Sequence, residues 1–190
     1  MRIIAGKHRG LALEPPQGEA IRPTSDRARQ ALFNILEHRF GIGEASPLHG
    51  AAVLDVFCGS GALGLEALSR GAARCIFIDK DPVALALAER NAKRAKESAT
   101  SRFVLRDATR LPQAPAAATL AFLDPPYGEG LAAAALESLR KGGWLAAGAI
   151  VSLELGPRDA FALPPGFERL DERRYGKARI VLLRVPVDAG

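Results

Sequence analysis

The residues best equipped for chemistry fall in two short segments. VLDVFCGSGALGLEALSRGA (residues 53–72) spaces Gly59, Gly61 and Gly64 as G-x-G-x-x-G, and LDPPY (123–127) sets Asp124 before Pro125, Pro126 and Tyr127. Each segment closes an apolar run that reads as a buried strand, so both loops sit at strand carboxyl ends. Glycines in such a turn let the backbone bend tightly and come close to a ligand. Directly after a strand and opening a helix, the pattern marks a nucleotide site. Asp79 closes the next strand, where a carboxylate can accept both hydroxyls of a ribose, a feature common to NAD and S-adenosylmethionine sites. Asp55, just before the glycines, separates the two cofactors. It would repel a pyrophosphate but suits the ammonium of S-adenosylmethionine; its alternative role is to bond the amides of its own turn. Asp107 ends a third strand, where it either reaches an adenine amino group or caps the strand end.

The second segment suits an aromatic amine. A carboxylate at a strand end is costly to bury without a partner. Two prolines stiffen the loop and remove two N–H donors, leaving carbonyls available. Asp124 and the Pro125 carbonyl can then accept both hydrogens of a base's amino group and turn its lone pair toward an activated methyl. Tyr127 can stack on the base, for about 1–3 kcal/mol. A base inside a duplex cannot reach such a pocket and must be unstacked first. Taken alone, the segment is equally a DPP turn with a packed tyrosine. Cys58 and Cys75 read as small packed residues. His8, His38 and His49 all lie upstream of the sheet, and no metal-ligand spacing occurs.

These loops need a scaffold. From residue 52 onward, strands are predicted at 53–57, 74–78, 102–105, 120–123 and 144–155. Helices are predicted at 63–70, from an Asp81 cap with Pro82 in its first turn to about residue 96, and at 131–140. The alternation implies a parallel sheet with helices on both faces. Segments 167–175 and 178–185 flank Gly176 and Lys177 with no helix between them. The α/β fold should therefore be a seven-stranded, mostly parallel sheet ending in an antiparallel hairpin. Upstream, residues 2–5 and 11–13 flank GKHRG and predict a small β-hairpin. Thr24 or Ser25 caps a helix with Ala28, Ala31, Leu32, Ile35 and Leu36 on one face. Breaks at Gly41, Gly43, Pro47 and Gly50 divide an N-terminal extension (1–45) from the main domain (46–190).

The 190 residues are 48% hydrophobic and 25% charged, which suits one globular domain. No signal peptide or membrane span is apparent, and two cysteines make no disulfide scaffold, so a cytoplasmic setting is expected. The net charge is +5, from 26 Lys and Arg against 21 Asp and Glu. Arg2, Lys7, Arg9, Arg22, Arg27 and Arg29 gather upstream, and Arg169, Arg173, Arg174, Lys177 and Arg179 downstream. Both groups have the composition of phosphate-binding patches.

The chain resembles the bacterial RsmD family of class I, Rossmann-like S-adenosylmethionine-dependent methyltransferases. MRIIAGKHRG, RPTSDRARQALFNIL, LDVFCGSGALGLEALSRGA, LDPPY and RRYGKARIVLL match the family pattern in order along nearly the whole chain. LDPPY alone is shared with adenine methyltransferases of DNA. The resemblance implies methylation of a guanine exocyclic amine in 16S rRNA, within a small ribosomal subunit or an assembly intermediate; a monomer is expected. It implies cofactor contacts at Asp55, Gly59, Ser60, Gly61, Asp79 and Asp107, to which the adjoining Phe57, Lys80 and Ala108 are added. Catalysis falls to Asp124, Pro125, Pro126 and Tyr127. Arg22, Thr24, Asp26 and Arg27 face the substrate, joined by Arg2, Lys7, Arg9 and Arg174 from the basic patches. Family members often close strand two with Glu, where this chain has the shorter Asp79. Transfer to DNA adenine or to a protein glutamine, and a non-catalytic RNA-binding assembly role, are the competing readings.

Overall fold

A computed structural model describes residues 1–16, 26–41 and 45–187. Three near-continuous apolar runs build the centre of the sheet: β1 (Ala52–Val56), β2 (Arg74–Asp79) and β4 (Ala118–Leu123). β3 (Ser101–Leu105), β5 (Leu145–Leu155), β6 (Glu168–Tyr175) and β7 (Ala178–Arg184) complete seven strands in the order β3-β2-β1-β4-β5-β7-β6. β1 to β5 pair in parallel, and β7 runs antiparallel to both β5 and β6. Strand order reverses between β1 and β4, so their carboxyl ends border the crevice where open α/β sheets bind ligands.

Alternation along the strands splits the core into two layers. Val53, Phe77, Leu120 and Phe122 face α1 (Asp26–Phe40), α2 (Ala62–Ser69) and α3 (Pro82–Arg94). Leu54, Ile78, Leu123 and Leu153 face α4 (Leu131–Lys141) and Trp144. Helices cover both faces as expected, but α4 is the one helix on its side among the described residues. Between β3 and β4 there is only a turn of 3-10 helix, Ala108–Arg110. Among the described residues, no helix is long and apolar enough to cross a membrane.

Four boundaries differ from expectation. β1 ends at Val56, because Phe57 takes a left-handed conformation at φ 60° and leaves the sheet. α3 ends at Arg94, just before Lys96 turns left-handed at φ 58°. β5 begins at Leu145, and its register against β4 shifts between Ala118 and Leu120 as β5 passes Gly148. The expected N-terminal hairpin is a single bridge, Arg2 to Ala12, closed around a 3-10 turn at Gly6–His8. The proposed caps Thr24 and Ser25 lie outside the described residues.

The N-terminal segment is fastened to the sheet by buried acceptors. Glu66 of α2 is fully buried and accepts the Ile4 N–H at 2.7 Å and the Ala5 N–H at 3.0 Å. Arg70 Nε donates to it at 2.8 Å, and the buried Arg29 of α1 lies within ion-pair distance. Glu97, beyond α3, accepts from Lys7, His8 and Thr100. Ile3, Leu13, Leu32 and Phe33 thereby join the core of the main sheet.

Candidate active site

Strand register brings the two motifs together. Val56 of β1 lies opposite both Ile78 of β2 and Leu123 of β4, and Leu123 lies opposite Leu153 of β5. One residue further on lie Asp79 at the end of β2, Asp124 just past β4 and Glu154 next to last in β5, at one level and on one face. Asp55 sits on the same face two residues deeper. The Asp124 N–H donates to the Val56 carbonyl at 3.3 Å, so the Asp-Pro-Pro-Tyr segment leaves the sheet beside the glycine turn.

Within that turn each glycine has its own reason. Gly64 donates its N–H to Asp55 Oδ2 at 2.8 Å, and a Cβ on Gly64 would lie 2.5 Å from the Phe77 ring. Gly61 is left-handed at φ 76°, as the entry into α2 requires. Gly59 has nothing within 4 Å of the Cβ direction, so its backbone faces open space. Its N–H donates to Asp79 Oδ2 at 3.0 Å, while Asp79 Oδ1 accepts from Asp81 at 3.0 Å. Each carboxylate oxygen keeps a further lone pair for a ribose hydroxyl. An acidic strand end beside a bare glycine backbone thus fits a nucleoside with a cationic tail.

Asp55 is 1% exposed, and its bond to Gly64 is the alternative role open to it from the sequence. Burial pushes its pKa well above the usual carboxylate value. The Gly64 bond opposes this, while the charges of Asp124 and Asp79 add to it. A sulfonium or ammonium nearby would favour the ionised form. Asp107 caps the 3-10 turn, accepting from Thr109 N–H at 2.9 Å and Thr109 Oγ1 at 2.7 Å, and these bonds hold its pKa low. Lys80 is exposed and Ala108 buried beside these acids. Cys58 and Cys75 are buried free thiols, and burial raises both pKa values, as packed residues require.

Three residues that sequence reasoning missed complete the site. Asn91 of α3 is fully buried and donates to the Ser60 carbonyl at 2.9 Å and the Glu14 carbonyl at 3.1 Å, while accepting the Glu14 N–H at 2.8 Å. It joins the cofactor turn to the N-terminal segment. Glu154 Oε1 accepts the Tyr127 hydroxyl at 2.5 Å. Burial and this acceptor raise the tyrosine pKa. Asp159 accepts the N–H groups of Gly128 at 3.0 Å and Gly156 at 2.8 Å, tying the loop after Tyr127 to the end of β5. A charged residue near the end of the apolar run IVSLEL was the signal for Glu154; Asn91 left none. A cavity of about 250 Å³ adjoins this corner, bounded by Pro125, Pro126 and Arg158. The larger cavity, about 430 Å³, lies against β3 by Arg102 and Trp144, away from both motifs.

The basic residues divide. Arg29 is wholly buried, bonding the Arg2 carbonyl and Asp26, so it is no part of a phosphate-binding surface. Arg179 donates to the Asp159 carbonyl at 2.7 Å and is mostly covered. Lys7 is paired with Glu97 at 2.7 Å, Arg169 with Glu172 at 3.0 Å and Arg173 with Asp171 at 3.1 Å. Arg2, Arg9, Asp26, Arg27, Arg174 and Lys177 are exposed. Arg174 and Lys177 flank the β6–β7 turn, which lies at the carboxyl edge because Arg179 pairs with Leu155. Arg22 and Thr24 lie outside the described residues.

The sheet order with its reversed β7, the glycine turn and the acidic strand ends define a class I methyltransferase that uses S-adenosylmethionine. The chain belongs to the RsmD family: the family model described as "Conserved hypothetical protein 95" matches residues 1–184. The Ribosomal RNA small subunit methyltransferase D of Haemophilus influenzae is 33% identical over 180 residues, covering 93% of this chain and 89% of its own. That of Escherichia coli K12 is 38% identical over 155 residues, covering 81% and 74%. The solved structure of Escherichia coli yhhF superposes with a TM-score of 0.81 at 32% identity, covering 99% of each chain.

Proposed function

We propose that the protein transfers a methyl group from S-adenosylmethionine to the exocyclic amine of a guanine in 16S rRNA of the small ribosomal subunit. The carrying observation is the register of β1 and β4, which sets Asp124 beside the glycine turn on the face that holds Asp55. The names of the relatives support rRNA of the small subunit as the acceptor class. When bound, the cofactor supplies an electrophilic methyl on a sulfonium. Gly59, Ser60 and Gly61 would cradle it, Asp79 would hold its ribose, and Asp55 would lend negative charge to its amino-acid end. Phe57, Lys80, Asp107 and Ala108 would border its nucleoside.

Asp124 and the Pro125 carbonyl accept the two amine hydrogens of a guanine taken out of its stack. The lone pair then faces the methyl, and the proton that the nitrogen sheds after transfer passes to the Asp124 carboxylate. Pro126 stiffens the corner, and the Tyr127 ring forms one wall. Residues 1–45 make up the RNA-facing part of the molecule. Exposed Arg2, Arg9, Arg27 and Arg174, with Lys7 where Glu97 leaves it access, meet phosphates beside Asp26; Arg22 and Thr24 are assigned to the same partner from the resemblance alone. The enzyme acts as a cytoplasmic monomer on the subunit or on an assembly intermediate. Incubation of the purified protein with labelled S-adenosylmethionine and small-subunit particles from an unmethylated strain tests this. Digestion should return the label as an amino-methylated guanosine; label in adenosine, in protein or nowhere counts against the reading.

A further inference from the structure

Glu154 has no part in the chemistry described above, yet it lies beside Asp124. β4 and β5 pair in parallel with Leu123 opposite Leu153, so the next residues, Asp124 and Glu154, project from the same face. Neighbouring strands are ~4.8 Å apart, which sets the two carboxylates within reach of one small planar ligand. The Tyr127 hydroxyl already bonds Glu154, and the Asp124 charge also bears on it. Tyr127 packs against Gly156, where a Cβ would lie 3.0 Å from the ring, and Asp159 bonds the N–H groups of Gly128 and Gly156. The acid is therefore held in place before any substrate arrives.

We propose, resting on the guanine reading above, that Glu154 is a specificity-determining residue: it accepts the N1–H of the guanine whose neighbouring amine Asp124 holds. Guanine presents N1–H and the exocyclic amine as adjacent donors. Adenine presents its amine beside a bare N1, which is an acceptor. Once the bound base has displaced water, two acceptors facing each other leave both without a donor, and such a site rejects the wrong base. A carboxylate has lone pairs for several donors, so N1–H can be added beside the Tyr127 hydroxyl.

The test uses small-subunit particles reconstituted with guanine or 2-aminopurine at the target position. 2-Aminopurine keeps the amine on the same carbon but has no hydrogen on N1. The unsubstituted enzyme should favour guanine in kcat/KM by roughly 10- to 100-fold, the worth of a hydrogen bond to a charged group. Glu154→Gln should bring that ratio toward one by losing guanine turnover while keeping transfer to 2-aminopurine, with S-adenosylmethionine affinity by calorimetry unchanged. An unchanged ratio in Glu154→Gln, or loss of both activities in it, overturns the assignment. Absence of guanine transfer by the unsubstituted enzyme overturns the guanine reading itself and this inference with it.

Discussion

At the scale of single residues, the site is a set of hydrogen-bond acceptors with assigned donors. Asp124→Ala should cut methyl transfer at least ~100-fold, because the amine loses the group that orients it. S-adenosylmethionine affinity should stay near normal, since the cofactor turn is fixed by Asp79 and Asp55 instead. Single-turnover rates beside calorimetric titration would separate the two quantities; retained turnover removes Asp124 from the mechanism. Gly64→Ala forces a methyl to 2.5 Å from Phe77 and 2.6 Å from Cys75 Sγ, both packed in the core. Overpacking of this kind costs about 1–3 kcal/mol. Thermal denaturation should show a melting point several degrees lower, and an unchanged one would mean that the helix shifts freely on the strand. The two motifs could be picked out because glycine spacing and a DPPY run stand out in a single sequence, and the register of β1 and β4 brings them together. Glu154, Asn91 and Glu66 could not be, because their partners lie 27, 31 and 62 residues away and meet them only in the folded chain.

At the scale of elements, legibility followed burial. β1, β2 and β4 are apolar and covered on both faces, so composition alone located them within a residue or two. The hairpin β6–β7 was readable from its turn at Gly176 and Lys177. The pairing of Arg2 with Ala12 was readable in the same way, but the attachment of that segment to α2 and α3 was not. Glu66 carries that attachment: two backbone N–H groups, Arg70 and Arg29 converge on one buried carboxylate. Glu66→Ala leaves buried donors and cations without their acceptor and should cost about 3–5 kcal/mol. Urea denaturation measures the loss, and limited proteolysis should cut within residues 1–16 first. A variant as stable as the parent would show that packing alone holds this segment.

At the scale of the whole molecule, charge proved the poorest guide, since several cations assigned to RNA are spent on the protein's own acids. Glu97 is the case with a titration consequence. Burial alone would raise its pKa, but bonds from Lys7, Thr100 and His8 outweigh it and hold the carboxyl below its ordinary 4.5. The folded protein thus binds this proton less readily than the unfolded chain. The resulting stability is present above pH ~4.5 and fades as pH falls through the folded value. Glu97→Gln should lose about 1–3 kcal/mol at neutral pH. Its urea midpoint should also fall less than the parent's on acidification; parallel acid limbs would contradict the assignment. The parallel register has a further consequence for how such a chain can vary. The acids Asp55, Asp79, Asp124 and Glu154 share a face only because four strands are counted in phase. Removing one residue from β4 would swing Asp124 through to the α4 side. Insertions and deletions should therefore be tolerated only in loops, and adding or removing a single residue inside β1, β2, β4 or β5 should silence the enzyme even where the fold survives.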